Sequence, residues 1–81
     1  MSTLVITREP VVLDISFTEH SVRFDLADGR AISAPLEWFP RLRDATAEQR
    51  GHWELIGRGC GVHWPDIDED ISVLGLMGLP D

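Results

Sequence analysis

Two segments near the start of the chain alternate apolar and polar residues with a period of two. In residues 11–17, VVLDISF, the apolar face consists of Val11, Leu13, Ile15 and Phe17. In residues 21–26, SVRFDL, it consists of Val22, Phe24 and Leu26. This alternation is typical of strands that bury one face. We therefore predict two strands whose apolar faces cover one side of a core.

The residues that follow predict a third strand. Asp28 and Gly29 form a dipeptide that favours a tight hairpin turn. Residues 30–34 then return beside the second strand. Residues 11–34 are therefore expected to form an antiparallel three-stranded meander.

The pattern changes at Pro35, where two prolines occupy positions suited to the first residue of a helix. In one continuous helix, the ring of Pro40 would clash with the carbonyl four residues earlier. We therefore predict two short helical turns, one at each proline. Three apolar side chains of this segment are expected to cover the sheet, namely Trp38, Phe39 and Leu42.

The rest of the chain predicts two more helices and one or two more strands. Thr46 and Gln49 have the spacing of a helix capping box. The glycines at alternate positions from 57 to 61 favour a loop or a strongly bent strand, and residues 62–64 are suited to a last strand. Asp70 is a good N-cap for a helix over 71–77. Two residues suited to follow that helix are Gly78 and Pro80.

Length and composition indicate one small domain over residues 1–81, with a mass of 9.1 kDa. The fold class is predicted to be α+β, with a small antiparallel sheet packed with short helices. The sheet is expected to contain the meander plus one or two later strands. The chain shows no signal-peptide pattern, no apolar run of membrane-spanning length and one cysteine, Cys60. A cytoplasmic location is therefore expected.

Charge restricts the kinds of partner that the chain can bind. Seven arginines, no lysine and fourteen acidic residues give a net charge of −7. This charge argues against direct binding to nucleic acid or to a membrane, and leaves basic proteins as partners. The imbalance is concentrated in residues 59–81, which carry five acids and no arginine.

Four of these acids lie within five residues, close to an aromatic residue. They are Asp66, Asp68, Glu69 and Asp70, and Trp64 precedes them. One interpretation is a solvated loop whose acids favour a helix N-terminus. The other is a binding patch, because carboxylates this close repel one another unless a cation or a basic partner compensates.

The chain carries no complete metal or catalytic motif. Asp66, Asp68 and Asp70 match the first three ligand positions of a calcium loop. Ile71 and Met77, however, occupy the positions that need glycine and glutamate.

Cys60 and His63 provide half of a zinc-ligand spacing, without a second pair. Covalent catalysis by Cys60 would need a base, for which His63 and His52 are the candidates. A small buried thiol is the simpler interpretation. We therefore predict no enzymatic activity, no metal and no cofactor.

Several short motifs resemble those of one bacterial family. They are Asp28-Gly29-Arg30, Pro35-Leu36-Glu37-Trp38, Pro40-Arg41-Leu42 and His63-Trp64-Pro65-x-x-Asp68-Glu69-Asp70-Ile71. Over residues 11–79 the chain resembles the bacterial domain-of-unknown-function family 2442. The resemblance implies a small α+β domain with no established activity or cofactor. It also implies a role in two-gene modules beside small candidate toxins.

Two binding roles follow as hypotheses. In the first, a carboxylate-rich surface mimics nucleic acid and inhibits a basic nucleic-acid-binding protein or complex, as some anti-CRISPR proteins do. In the second, an antitoxin-like or accessory module covers a small cognate protein with an apolar patch. The charge favours the first, which requires the acids to share one face, and the chain is expected to be a monomer or a weak homodimer. The residues expected to contact the partner are Asp66, Asp68, Glu69, Asp70, Trp64, Glu19, Asp25 and Asp28.

Overall fold

The chain forms two three-stranded antiparallel sheets joined by short helices. The structure is a computed structural model and describes residues 10–77. The first sheet has the order β1 (Val12–Phe17), β2 (Ser21–Leu26), β3 (Ala31–Pro35). The second has the order β4 (Glu54–Ile56), β5 (Gly61–Trp64), β6 (Glu69–Ser72). The helices are α1 (Pro40–Arg43), α2 (Ala47–Gly51) and α3 (Val73–Leu76).

This arrangement confirms the predicted α+β class and the N-terminal meander. The second sheet has three strands, where one or two later strands were expected. The shared core contains residues of both sheets, and its largest fully buried side chains are Trp64 and Phe24.

A β-bulge in β1 changes which side chains of that strand are buried. Val12 pairs with Leu26 and Asp14 pairs with Asp25, so β1 advances two residues while β2 advances one. Val12 is consequently 1% exposed and Leu13 is 64% exposed. The predicted inner position of Leu13 is wrong, because the period of two holds only along an unbroken ladder.

β2 is the central strand of the first sheet and buries the residues that alternation predicts. These are Val22, Phe24 and Leu26. The predicted turn after β2 is also present, with Gly29 at a φ of +92°. The Asp28 carboxylate accepts a hydrogen bond of 3.0 Å from the backbone N–H of Arg30.

Both prolines are followed by helical turns, as predicted. A 3-10 turn follows Pro35, and α1 begins at Pro40. Leu36 and Leu42 are buried, but the Trp38 side chain is 64% exposed. The expectation that Trp38 covers the sheet is therefore wrong. The 3-10 turn directs Leu36 into the core, and Trp38, two residues later, lies on the outside.

Helix α2 connects the two sheets. Its predicted capping box is present, with the N–H of Gln49 donating to Thr46 Oγ1 and the N–H of Thr46 donating to Gln49 Oε1. The Arg50 guanidinium lies 5.0 Å from the centroid of the Phe17 ring. The carbonyl of Arg50 accepts a hydrogen bond of 3.1 Å from Trp64 Nε1. Arg50 thus contacts β1 with its side chain and β5 with its backbone.

The segment predicted as a C-terminal helix contains strand β6. Ile71 pairs with Val62 of β5, and both side chains are buried. Asp70 pairs with His63, so Asp70 is a strand residue and not a helix N-cap. The prediction of one helix over 71–77 is wrong, because pairing with β5 buries Ile71 in the shared core.

Helix α3 begins after β6 and spans four residues. Its N-cap is Ser72, whose side-chain oxygen accepts a hydrogen bond of 3.1 Å from the N–H of Gly75. Gly78 and Pro80, which were expected beyond the helix end, lie outside the described residues.

Candidate protein-binding surface

The four clustered acids lie on one β-hairpin, made of β5, a turn and β6. We call residues 61–72 the acidic hairpin. It contains no lysine or arginine. Its acids are Asp66 and Asp68 in the turn and Glu69 and Asp70 at the start of β6. The cluster therefore belongs to a turn and a strand, and not to a helix N-terminus.

The backbone of the hairpin turn is fixed by Asp68. This residue has a φ of +54°, a conformation that aspartate tolerates better than most side chains. Its carbonyl accepts a hydrogen bond of 2.6 Å from Arg41 Nη1. The arginine thus contacts the backbone of the turn from α1.

The Asp66 carboxylate is hydrogen-bonded to a histidine at the end of α2. Asp66 Oδ2 and His52 Nδ1 are 2.8 Å apart. This hydrogen bond and the negative charge of Asp66 raise the pKa of His52 above its ordinary value, and the charge of Glu48 adds to the effect. The contact attaches the turn of the acidic hairpin to α2.

A second histidine lies between two carboxylates on the second sheet. His63 pairs with Glu54 of β4 on one side and with Asp70 of β6 on the other. His63 Nδ1 is hydrogen-bonded to Asp70 Oδ1. That bond raises the pKa of His63 against the opposing effect of burial, and the charges of Asp70, Glu54 and Asp68 raise it further.

Both histidines that were candidate bases for Cys60 are hydrogen-bonded to carboxylates. Cys60 Sγ donates a hydrogen bond of 2.8 Å to the carbonyl of Gly57, and His63 is bonded to Asp70 instead. The His63–Asp70 pair follows from the hairpin register once β6 is identified as a strand. No local pattern indicates the His52–Asp66 pair, because its residues are 14 positions apart.

The predicted aromatic anchor of the acidic patch is buried. Trp64 has 0% exposure, and its Nε1 donates to the carbonyl of Arg50. Its expected role as an exposed contact to a partner is therefore wrong. The residue is part of the core because β5 places it on the same face as Val62 of the buried layer.

The three acids predicted on the meander belong to the first sheet and its turns, whereas the acidic hairpin belongs to the second sheet. Glu19 lies in the turn between β1 and β2, and Asp28 lies in the turn between β2 and β3, so they occupy opposite ends of β2. Asp25 is paired with Arg23 at 2.9 Å, and Asp28 with Arg30 at 2.7 Å. Two of the three meander acids are therefore already paired with a cation of the meander.

A shallow hollow lies on the outer face of the second sheet, beside the acidic hairpin. Val62 and Ile71 point into the core, so positions 61, 63, 70 and 72 lie on the outward face. The hollow has a volume of about 410 Å³. Among the described residues that line it, Asp70 is the only charged one. Its lining also includes Ile56, Cys60, Gly61 and Leu74.

Gly61 lines the hollow and packs closely against Ile56. A Cβ at Gly61 would lie 3.0 Å from Ile56 Cγ1. The preceding glycines serve the backbone, as predicted, with φ of +57° at Gly57 and +89° at Gly59.

Neither a metal-binding cluster nor a membrane-spanning helix is found in the described part of the chain. Within residues 10–77, no cluster of three or more histidine, cysteine or acidic side chains has an arrangement that could hold a metal ion. No helix in the same range has the length and apolar character needed to cross a membrane.

Residues 12–79 match the model of a family described as a protein of unknown function, DUF2442. The chain belongs to the DUF2442 family. Two solved structures share the DUF2442 fold. A protein of unknown function from Rhodospirillum rubrum is 31% identical, with a TM-score of 0.71 over 89% of this chain and 90% of that one. An uncharacterised protein from Chromobacterium violaceum is 26% identical, with a TM-score of 0.69 over 84% of this chain and 64% of that one. No curated protein matches this DUF2442 chain.

Proposed function

We propose that this chain is a non-enzymatic protein-binding domain that inhibits a basic nucleic-acid-binding protein or complex by mimicking nucleic acid, as some anti-CRISPR proteins do. The acidic hairpin is the proposed contact surface. The proposal is narrower than the prediction from the sequence, because it leaves out the buried Trp64 and the three acids of the meander.

One observation carries the proposal: four carboxylates lie within one hairpin that contains no lysine or arginine. Asp25 and Asp28 of the meander are ion-paired with arginines. Within residues 10–77, the ion-pair partners of Asp66 and Asp70 are histidines. When those histidines are neutral, the hairpin keeps its full negative charge. A basic groove could then exchange the counterions of its arginines and lysines for these carboxylates.

The histidine contacts also support the proposal by restricting the carboxylates. A carboxylate held by a hydrogen bond loses less side-chain freedom when a partner binds. His52 restricts Asp66 in the turn, and His63 restricts Asp70 on the strand. The hairpin therefore presents part of its charge in a fixed arrangement.

Capture from a bacterial lysate tests the proposal. The immobilised chain is expected to retain basic nucleic-acid-binding proteins, which added DNA and moderate salt release. A variant with Asp66→Asn, Asp68→Asn and Asp70→Asn is expected to lose most of this retention. The retained proteins are identified and quantified by mass spectrometry.

A control variant separates the effect of the hairpin from the effect of net charge. Asp14→Asn, Glu19→Gln and Glu37→Gln change exposed acids elsewhere, and both triple variants raise the net charge of −7 by three. Equal retention by the hairpin variant and the wild type would contradict the proposal. Equal loss in both variants would also contradict it, because the effect would then follow total charge.

The exposed Trp38 favours a second candidate, the antitoxin-like or accessory module. Its side chain is 64% exposed and meets the ring of Phe39 edge-on, with centroids 6.5 Å apart. Exposed tryptophans are enriched at the energetic centres of protein interfaces. This candidate predicts capture of one small protein that survives high salt and is lost on Trp38→Ala.

A further inference from the structure

The hollow on the second sheet combines an apolar wall with a single carboxylate. Ile56 and Leu74 contribute aliphatic surface, and Asp70 lies at the margin. An anionic ligand would meet the repulsion of the acidic hairpin, and a purely apolar ligand would gain no electrostatic attraction to Asp70, one of whose oxygens is hydrogen-bonded to His63. The complementary group is a side chain with an aliphatic stem and a cationic head.

The row of residues that includes Asp70 also favours a ligand with a cationic head. Glu54, His63 and Asp70 pair directly across β4, β5 and β6. An ionised carboxylate can only accept hydrogen bonds, so His63 Nδ1 carries the proton shared with Asp70. The row thus holds two carboxylates and one histidine.

We propose that the hollow is the subsite in which the acidic hairpin receives an arginine side chain of its basic partner, an inference that rests on the proposed function. The arginine stem lies along Ile56 and Leu74, and the guanidinium reaches Asp70. Arginine fits better than lysine because the guanidinium is more weakly hydrated and can bind a carboxylate through two parallel N–H groups.

The size of the hollow is suited to such a side chain. Its volume of about 410 Å³ lies within the range of roughly 300 to 1,000 Å³ that is typical of small-ligand pockets. Cys60, the single cysteine of the chain, lines the hollow and can report its occupation.

A titration with short peptides tests the subsite on the full chain. The probe is acetyl-Gly-Arg-Gly-amide, and the control probe is the norleucine analogue, which keeps an aliphatic stem and lacks the charge. The arginine peptide is expected to give saturable amide NMR shifts at Ile56 and Gly61. It should also slow the alkylation of Cys60 by iodoacetamide.

Two variants of equal net charge locate the contact. Asp70→Asn is expected to weaken binding of the arginine peptide by about tenfold, because it removes the carboxylate that the guanidinium meets. The asparagine oxygen can still accept from His63, so the hairpin is kept. Asp68→Asn changes another acid of the same hairpin and is expected to leave binding within about twofold of the wild type.

Several results would overturn the subsite. These are equal binding of the norleucine peptide, an equal effect of the two variants, shifts confined to the hairpin turn, or no saturable shift. Shifts confined to the turn would leave the proposed function standing. If the arginine peptide fills the hollow but the triple hairpin variant still captures basic proteins from lysate, the proposed function falls and the subsite remains.

Discussion

His63 shows at the scale of one residue how the fold and the surface charge are connected. Its imidazole lies on the outer face of β5 and is 26% exposed, between carboxylates of β4 and β6. The bond to Asp70 raises the pKa of His63, so the folded chain binds a proton more tightly than the unfolded chain. This stabilisation is complete below the unfolded pKa of about 6.5 and is lost as pH rises through the folded pKa.

A pH prediction follows for Asp70→Asn. Removing the carboxylate should lower the free energy of unfolding more at about pH 5.5 than at about pH 9, because only the protonated imidazole gains from the negative charge. Urea denaturation at both pH values measures the difference, and the NMR titration of His63 should show a lower pKa in the variant. Asp14→Asn, which changes an exposed acid on β1, is expected to have the same small effect at both values. An equal effect of Asp70→Asn at both pH values would show that the ion pair does not stabilise the fold.

Gly59 is a residue whose backbone conformation and surroundings both require glycine. Its φ is +89°, and a Cβ there would lie 3.0 Å from Val11 Cγ1. Gly59→Ala is expected to cost about 1–3 kcal/mol of unfolding free energy, the usual cost of a strained backbone conformation. Gly51→Ala is the control, because its Cβ would meet no atom of residues 10–77 within 4 Å and alanine should be neutral or slightly stabilising there. Thermal unfolding of the two variants measures both effects. Equal melting temperatures would contradict the conclusion that position 59 requires glycine.

At the scale of elements, alternation and turn residues predicted the meander, and the prolines and the capping box predicted the short helices. Alternation failed at the bulge, since a single extra residue reverses the inner and outer faces without leaving a mark in the pattern. It also failed at β6, where a four-residue segment with one buried side chain, Ile71, carries too little signal to separate a strand from a helix. The segment forms a strand because it pairs with β5, and the local sequence does not show this pairing.

The bulge makes a prediction that distinguishes the structure from the sequence pattern. Ile15→Ala removes a core side chain and is expected to cost about 2–5 kcal/mol. Leu13→Ala is expected to cost below about 1 kcal/mol, because the side chain is 64% exposed. Strict alternation would place both residues in the core and give similar losses. Urea denaturation of the two variants therefore tests the register of β1, and a large loss in Leu13→Ala would contradict the bulge.

At the scale of the whole molecule, the sequence located the acid cluster correctly, and the fold decided which acids can act together. The net charge of the chain does not distinguish the acids of the meander from those of the hairpin. In the structure, two acids of the meander are ion-paired with arginines. The acidic hairpin contains no arginine. The positions of the tryptophans in the fold could not be predicted from composition either. Trp64 is buried, Trp53 is partly buried and Trp38 is exposed, and composition cannot rank them because any large aromatic suits both a core and an interface.

Binding to a strongly basic peptide tests the uneven distribution of charge over the molecule. Nona-arginine is expected to bind the wild-type chain with an affinity that falls steeply between about 50 mM and about 300 mM salt, because screening weakens exposed charge pairs. The triple hairpin variant, with Asp66, Asp68 and Asp70 changed to asparagine, should bind about tenfold more weakly at low salt and show a shallower salt dependence. The triple control variant at Asp14, Glu19 and Glu37 has the same net charge and should bind within about threefold of the wild type. Fluorescence anisotropy with labelled peptide measures both quantities. If the two triple variants lose affinity equally, the peptide responds to net charge alone, and the acidic hairpin has no special place in the electrostatic surface.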